Sequence, residues 1–284
     1  MEYGWWLPTQ TWVSYQCSEE YIVSVDLNYG GFNNRLVTFT NALAFTASIY
    51  PHPVLRFNGI ILKEWSELYD VDETLRGWAC VENLTVKRKA NYSKVISISG
   101  EKMYMMGHAL AGDIFASTVI GYMLNHPKPK LQSILLAAQT RSPGGWHAMH
   151  LRRLCEPWVS RSKVRSCTNA NDIHDLCGNN LHYALNERKR AMNFGDLTFF
   201  IFHDGITPSN KLHQIKKYVN GTEHSGHTVH EDMIMMINAQ YFVGNIASTL
   251  STNVYRARRM KYPSDSARRT NINLDEYSCF NFIS

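Results

Sequence analysis

One stretch in the first fifth of the sequence limits the possible folds more than any other. Tyr21-Ile-Val-Ser-Val-Asp-Leu27 is a β-branched run and reads as a strand. Asn28-Tyr-Gly-Gly-Phe-Asn-Asn34 follows, rich in glycine and asparagine, and has to turn tightly. From Arg35 to Ile49 the apolar residues Leu36, Phe39, Leu43, Ala44 and Ala47 suit a helix. Strand, tight loop and helix in this order open a doubly wound α/β domain.

The rest of the chain keeps the same rhythm. Pro53 to Phe57 and Lys94 to Ile98 read as strands, Lys63 to Tyr69 as a short amphipathic piece, and Ile114 to Leu124 and Leu131 to Gln139 as helices. Further on, Trp146 to Leu151, Leu197 to Phe202 and Tyr241 to Val243 are strands. Leu181 to Met192, Asn210 to Tyr218, His230 to Asn238 and Thr252 to Met260 are helices. With 284 residues, 44% of them hydrophobic, the chain supports either one large α/β domain or two of about 140 residues each. Ser142-Pro-Gly-Gly145 is the strongest breaker cluster, so domains of 1–141 and 142–284 are expected. Nothing repeats at a period of about 20 to 50 residues.

Charge excludes some functions. Lys and Arg exceed Asp and Glu by 29 − 24 = 5, a mild excess scattered along the chain. A nucleic-acid partner calls for a denser basic stripe, whereas a phosphate-bearing small molecule does not. Six cysteines (Cys17, Cys80, Cys155, Cys167, Cys177 and Cys279) form no CxxC pair, which argues against structural zinc. Their even number, with sequons at Asn83, Asn91 and Asn220, leans towards disulfides and an oxidising compartment. The opening MEYGWWLPTQTW has no basic n-region and no apolar h-region, so it does not read as a signal peptide. The chain is therefore either cytosolic or a processed lumenal piece. No run of about 18 apolar residues offers a membrane span.

The densest candidate chemistry lies in Trp146 to Trp158, WHAMHLRRLCEPW. His150 and Arg152 stand one residue apart at the end of a strand, so both side chains leave the same face. Such a pair suits an anionic ligand, because guanidinium grips phosphate oxygens through two parallel hydrogen bonds. A structural Arg paired with a buried carboxylate is the competing explanation. In Gly30-Gly31-Phe32-Asn33-Asn34 backbone N–H groups gather before a helix, where Asn33 or Asn34 can bond a sugar or an acceptor hydroxyl. The same residues also make a turn without any ligand. Gly244 to Ser251 offers Ser248 and Thr249 as a neutral phosphate cradle, or plain capping by Ser251 or Thr252. Asp204, at the end of a buried strand, suits a ribose or base, or a turn. Glu231 and Asp232 fit a helix dipole without any function. His224, His227 and His230 are spaced by three, but Ser225 and Gly226 argue for a loop and against a metal. Neither GxSxG nor HExxH occurs. Cys155, near Arg152, fits a disulfide with Cys167 or Cys177, although pairing does not follow from sequence.

In their order, these segments resemble the GDP-fucose protein O-fucosyltransferase family. The resemblance rests on Gly30 to Arg35, on Trp65 to Asp72 with its Asp-Val-Asp end, and on His150-Leu151-Arg152 with Glu156 beyond it. It continues through His203-Asp204, Asp232, Phe242-Val243-Gly244-Asn245, Ser248-Thr249-Leu250-Ser251 and Arg256. Glu156 stands in place of the usual Asp, and His203 where Thr is common. The resemblance implies a GT-B-like α/β fold, two Rossmann-type domains facing across a cleft, with the acceptor on the first and the GDP-sugar on the second. It implies inverting transfer of fucose from GDP-fucose to a protein Ser or Thr hydroxyl, with no cofactor and no obligatory metal. Arg152, Asn33 and Asn34 would be catalytic, Arg152 holding the diphosphate and an Asn lying near the acceptor. His150 and Asp232 would contact the nucleoside, and Ser248, Thr249 and Leu250 the phosphates. Gly30, Gly31, Phe32 and Asp204 would complete the donor site. The partners implied are GDP-fucose and an acceptor protein or glycan, in the lumen of the endoplasmic reticulum or Golgi. A glycan-directed fucosyltransferase and a non-catalytic GDP-sugar- or glycan-binding protein are the alternatives on the same fold.

Overall fold

A computed structural model describes residues 21–49, 54–58, 61–71, 74, 80–81, 94–105, 112–151, 199–203, 212–213, 216–217, 221–224, 227–244, 248–262 and 271–273. The chain divides into two compact units, Met1–Lys128 and Pro129–Ser284. The division falls one helix before the Ser142 to Gly145 breaker, because the helix Pro129–Arg141 packs against Val229–Asn238 of the second unit. Packing, rather than the glycines, decides where a compact unit begins.

The first unit holds β1 (Tyr21–Asp26), α1 (Phe32–Ile49), β2 (Val54–Asn58), α2 (Ile61–Leu68), β3 (Cys80–Val81), β4 (Lys94–Ile98), α3 (Gly100–Met105) and α4 (Gly112–Asn125). Its strands are all parallel, in the order β3-β2-β1-β4. Ile22, Val23 and Val25 are completely buried, as a strand covered on both faces of a parallel sheet requires. α1 packs on α3 and α4, with Leu36, Phe39 and Leu43 in the core. Two side-chain bonds fasten α1 to α3: Thr38 Oγ1 donates to Gly100 O (3.3 Å) and Asn41 Nδ2 to Met103 O (2.8 Å). Phe32 lies edge-on to Trp65 at 5.3 Å and stacks on Tyr69 at 6.1 Å, an aromatic cluster that anchors the start of α1.

The second unit comprises α5 (Pro129–Arg141), β5 (His147–Leu151), β6 (Phe199–His203), β7 (Gly221–Glu223), α6 (Val229–Asn238), β8 (Phe242–Gly244), α7 (Thr249–Lys261) and β9 (Asn271–Asn273). Its sheet is again wholly parallel, ordered β7-β6-β5-β8-β9. β5 lies at the centre and every one of its residues is buried. Trp146 Nε1 donates to Met235 O at 3.0 Å, tying the entry of β5 to α6. Thr228 caps α6 in a capping box with Glu231, and Met233 to Ile237 form its buried stretch.

Several helices begin earlier than the sequence pattern suggests, two of them by three residues. α1 starts at Phe32, not Arg35, because the N–H groups of Asn34 and Arg35 both bond Gly31 O. α7 starts at Thr249, not Thr252: Ser248 O accepts the Thr252 N–H at 2.9 Å and the Thr252 hydroxyl at 3.1 Å. Hydroxyl residues that look like a loop here bond back to the preceding turn of the helix. β3, β7 and β9 escape the sequence reading because two or three residues carry no periodicity; only pairing with a neighbour makes them strands. The expected helix Leu181–Met192 lies outside the described residues, as do Asn83, Asn91 and Asn220 of the sequons and Cys155, Cys167 and Cys177. No helix among the described residues is long and apolar enough to cross a membrane.

Candidate functional site

In the second unit the chain runs from β5 through β6 to β7, then returns to the other side of β5 as β8 and β9. Between β5 and β8 the connections diverge, and outside the carboxyl ends of the strands they open the crevice where doubly wound sheets bind ligands. His150 is on the last turn of the pleat of β5 and Ser251 in the first turn of α7. Their Nδ1 and Oγ atoms are 2.8 Å apart in a buried hydrogen bond. Gly244, which ends β8, makes this approach possible. A Cβ there would come within 2.8 Å of Ser251 Oγ and 2.7 Å of the Phe242 ring.

Ser248 is the N-cap of α7, yet its side chain makes no capping bond. It is 2% exposed, and its hydroxyl is buried without a hydrogen-bond partner. A sealed, unbonded hydroxyl costs roughly 1–3 kcal/mol. Beside it α7 begins, with Thr249 and Leu250 in its first turn. They present the positive end of the helix dipole, a setting suited to phosphate oxygens. Arg152 follows β5 directly in sequence and Asp204 follows β6; both lie outside the described residues.

Two histidine–acid pairs flank the crevice on the β6–β7 side. His203 Nε2 meets Glu223 Oε1 at 2.8 Å, and Lys216 reaches the other oxygen at 3.3 Å. The His203 bond holds the Glu223 carboxyl below its ordinary range. The second pair is looser: His224 Nε2 lies 3.8 Å from Asp232 Oδ1. Burial pushes Asp232 up to about 6 and His224 down to about 4, so at neutral pH the carboxylate is charged and the imidazole is not. Glu231, the neighbour of Asp232, is fully used by the capping box. The two acids that open α6 therefore have different duties, a distinction the sequence alone does not make. Among the described residues, no three His, Cys, Asp or Glu side chains converge as a metal site requires.

In the first unit, the loop after β1 carries the other candidates. Gly30 turns at φ +72°, and a Cβ there would meet the Asn34 side chain at 2.7 Å. Asp26 Oδ1 accepts the Asn28 N–H at 2.9 Å and shapes the approach to the turn. Asn33 is 7% exposed and Asn34 half-buried, both in the first turn of α1 rather than in the loop. Phe32 is committed to the aromatic cluster with Trp65 and Tyr69. The structure thus brings His150, Ser248, Thr249, Leu250 and Ser251 together in the second unit, with Asp232 on the α6 side of the same sheet. It gathers Gly30, Gly31, Asn33 and Asn34 in the first.

No family model matches the chain, and no curated protein matches it in sequence. Solved structures do match in fold. POFUT1 in complex with GDP aligns with a TM-score of 0.58 at 13% identity, over 91% of this chain and 99% of that one. POFUT1 in complex with GDP-fucose gives 0.56 at 15% identity, over 90% and 98%. The fucosyltransferase NodZ from Bradyrhizobium gives 0.53 at 9% identity, over 86% and 94%. The likeness is one of fold: two Rossmann-like α/β units in series, of the GT-B kind.

Proposed function

We propose that this chain binds GDP-fucose in its second unit and transfers the fucose, with inversion, to a protein Ser or Thr hydroxyl. The observation that carries the proposal is the buried His150–Ser251 bond beside the unbonded hydroxyl of Ser248, at the point where the strand order reverses. A shared fold with proteins crystallised on GDP and GDP-fucose supports the donor.

In this mechanism the leaving group is GDP, and its charge grows as the bond from sugar carbon to phosphate oxygen breaks. Arg152 grips the diphosphate, and the N–H groups of Thr249 and Leu250, with the hydroxyls of Ser248 and Thr249, receive the growing charge. Donors already in place stabilise the transition state more than the ground state, which is what accelerates the transfer. His150, oriented by Ser251, and Asp232 contact the nucleoside, and Asp204 completes the donor site. Asn33 and Asn34 serve the acceptor side. This chemistry needs no metal and no cofactor. Sequons and an even cysteine count favour a lumenal, oxidising setting for this reaction.

The test is GDP release from GDP-fucose by the purified protein, offered folded protein domains and glycans as acceptors, since NodZ, described as an alpha-1,6-fucosyltransferase, shares the fold. Arg152→Ala is expected to lower turnover on the order of a hundredfold. Equal rates in the two proteins remove Arg152 from the mechanism. Tighter binding of a UDP-sugar than of GDP-fucose overturns the donor, and transfer to glycans alone overturns the protein acceptor.

A further inference from the structure

We propose that His224 is a positioning residue for Asp232, holding one carboxylate oxygen so that the other is presented to the nucleobase. This rests on the GDP-sugar reading above. Asp232 Oδ1 and His224 Nε2 face each other at 3.8 Å; both are sealed from solvent and neither has a hydrogen-bond partner. The Asp232 side chain is nevertheless 25% exposed, and none of that exposure comes from Oδ1. One oxygen is thus backed by the imidazole, while the carboxylate keeps an open side.

His224 is itself held rigidly. Its N–H donates to Ile201 O at 2.9 Å, extending the β6–β7 ladder by one residue. Its ring stacks on His227 at 4.0 Å, nearly parallel, and lies against Phe202 at 4.8 Å. His203 and Glu223, the neighbouring pair, close to 2.8 Å. The His224–Asp232 pair stays open by comparison, and both atoms bear the cost of an unmade bond. A neutral imidazole at 3.8 Å backs Oδ1 without cancelling the charge of the carboxylate. The carboxylate therefore remains an acceptor for the adjacent ring and exocyclic N–H donors of guanine. The ionisable groups around the pair are His203 and Glu223 at the strand ends, His227 and Glu231 at the start of α6, and Arg141 from α5.

The test compares binding of GDP and IDP, which lacks the exocyclic amino group, by calorimetry across pH 5 to 8. The proteins are wild type, His224→Phe and His224→Gln. Phe keeps the ring stack and loses the donor, while Gln restores a donor at similar reach. In His224→Phe, GDP binding is expected to weaken roughly tenfold. The GDP-to-IDP preference flattens, and the acidic limb of GDP binding moves to higher pH because a wholly apolar ring behind the carboxylate favours its charge less. His224→Gln recovers the preference. Wild-type preference and pH profile in a folded His224→Phe overturn the positioning role while leaving the GDP-sugar site intact. Absence of GDP binding by the wild type overturns the site and the inference together.

Discussion

His150 Nδ1 and Ser251 Oγ, separated by 101 positions in the chain, meet at 2.8 Å where β5 ends and α7 begins. The bond fixes the plane of the imidazole, and so the direction of its other nitrogen. Ser251→Ala removes that restraint without adding volume beside Gly244. We expect a stability loss of about 1 kcal/mol, the value of one buried hydrogen bond. We also expect GDP affinity to fall by about tenfold, since the ring is no longer held in place. Thermal melts and calorimetric titration measure the two effects separately. Unchanged GDP affinity in a folded Ser251→Ala protein shows that the orientation of His150 does not matter for the donor.

Asp232 makes an opposite prediction for stability. Its carboxyl is raised from 3.8 to about 6, chiefly by burial. Between pH 4 and 6 the folded protein therefore keeps a proton that the unfolded chain has released. Stability from this group falls as pH rises through that window, and at neutral pH the fold carries a desolvated charge. Depressed histidines such as His224 and His230 act in the other direction, so the wild-type curve alone is ambiguous. The difference from Asp232→Asn isolates the acid. That variant is expected to gain about 1–3 kcal/mol at pH 7.5, with the gain vanishing near pH 4, while losing GDP binding. Melting temperatures from pH 4 to 8 check the sign. A variant less stable than wild type at pH 7.5 identifies Asp232 as a structural acid.

The contrast between these residues shows what the sequence makes legible. Local pattern is enough for β1, β5 and α1, because a buried parallel strand is largely apolar and a covered helix is apolar on one side; β4 is legible from its β-branched residues although it is an exposed edge strand. It also singles out His150 and Ser248, through composition that packing does not require. It does not separate Glu231 from Asp232, which look alike at a helix start. Only the Thr228 capping box shows that the first is committed to the helix and the second is not. It does not pair His224 with Asp232 either: the spacing of His224, His227 and His230 invites a metal reading, whereas the ring of His224 turns towards α6. Contacts of this kind depend on where β7 joins the sheet, and β7 is a three-residue edge strand with no pattern of its own. The fold-level resemblance thus appears early, in ordered motifs, while the tuning of the site appears only after the chain has folded.

Arg258 supplies a prediction about the fold alone. It is fully buried on α7, and its guanidinium donates to Met236 O at 3.3 Å, Ile237 O at 3.0 Å, Ala239 O and Gln240 O at 3.1 Å. Met236 and Ile237 are in the last turn of α6, Ala239 is its C-cap and Gln240 follows it, so one side chain caps α6 and ties it to α7. Burial lowers its pKa to about 10, still far enough above neutrality to keep the charge. Lysine cannot replace the planar fork, because a single ammonium does not span four acceptors on two sides. Arg258→Lys and Arg258→Met are both expected to leave buried carbonyls unbonded and to cost at least about 3 kcal/mol. For a domain of this size that lowers the melting temperature by roughly 6–12 °C. GDP affinity extrapolated to the folded fraction should stay within about twofold, because the carbonyls Arg258 bonds lie at the end of α6, at Met236, Ile237, Ala239 and Gln240. A melting temperature unchanged in both variants shows that the end of α6 is held by other contacts and that the four bonds add nothing to the fold.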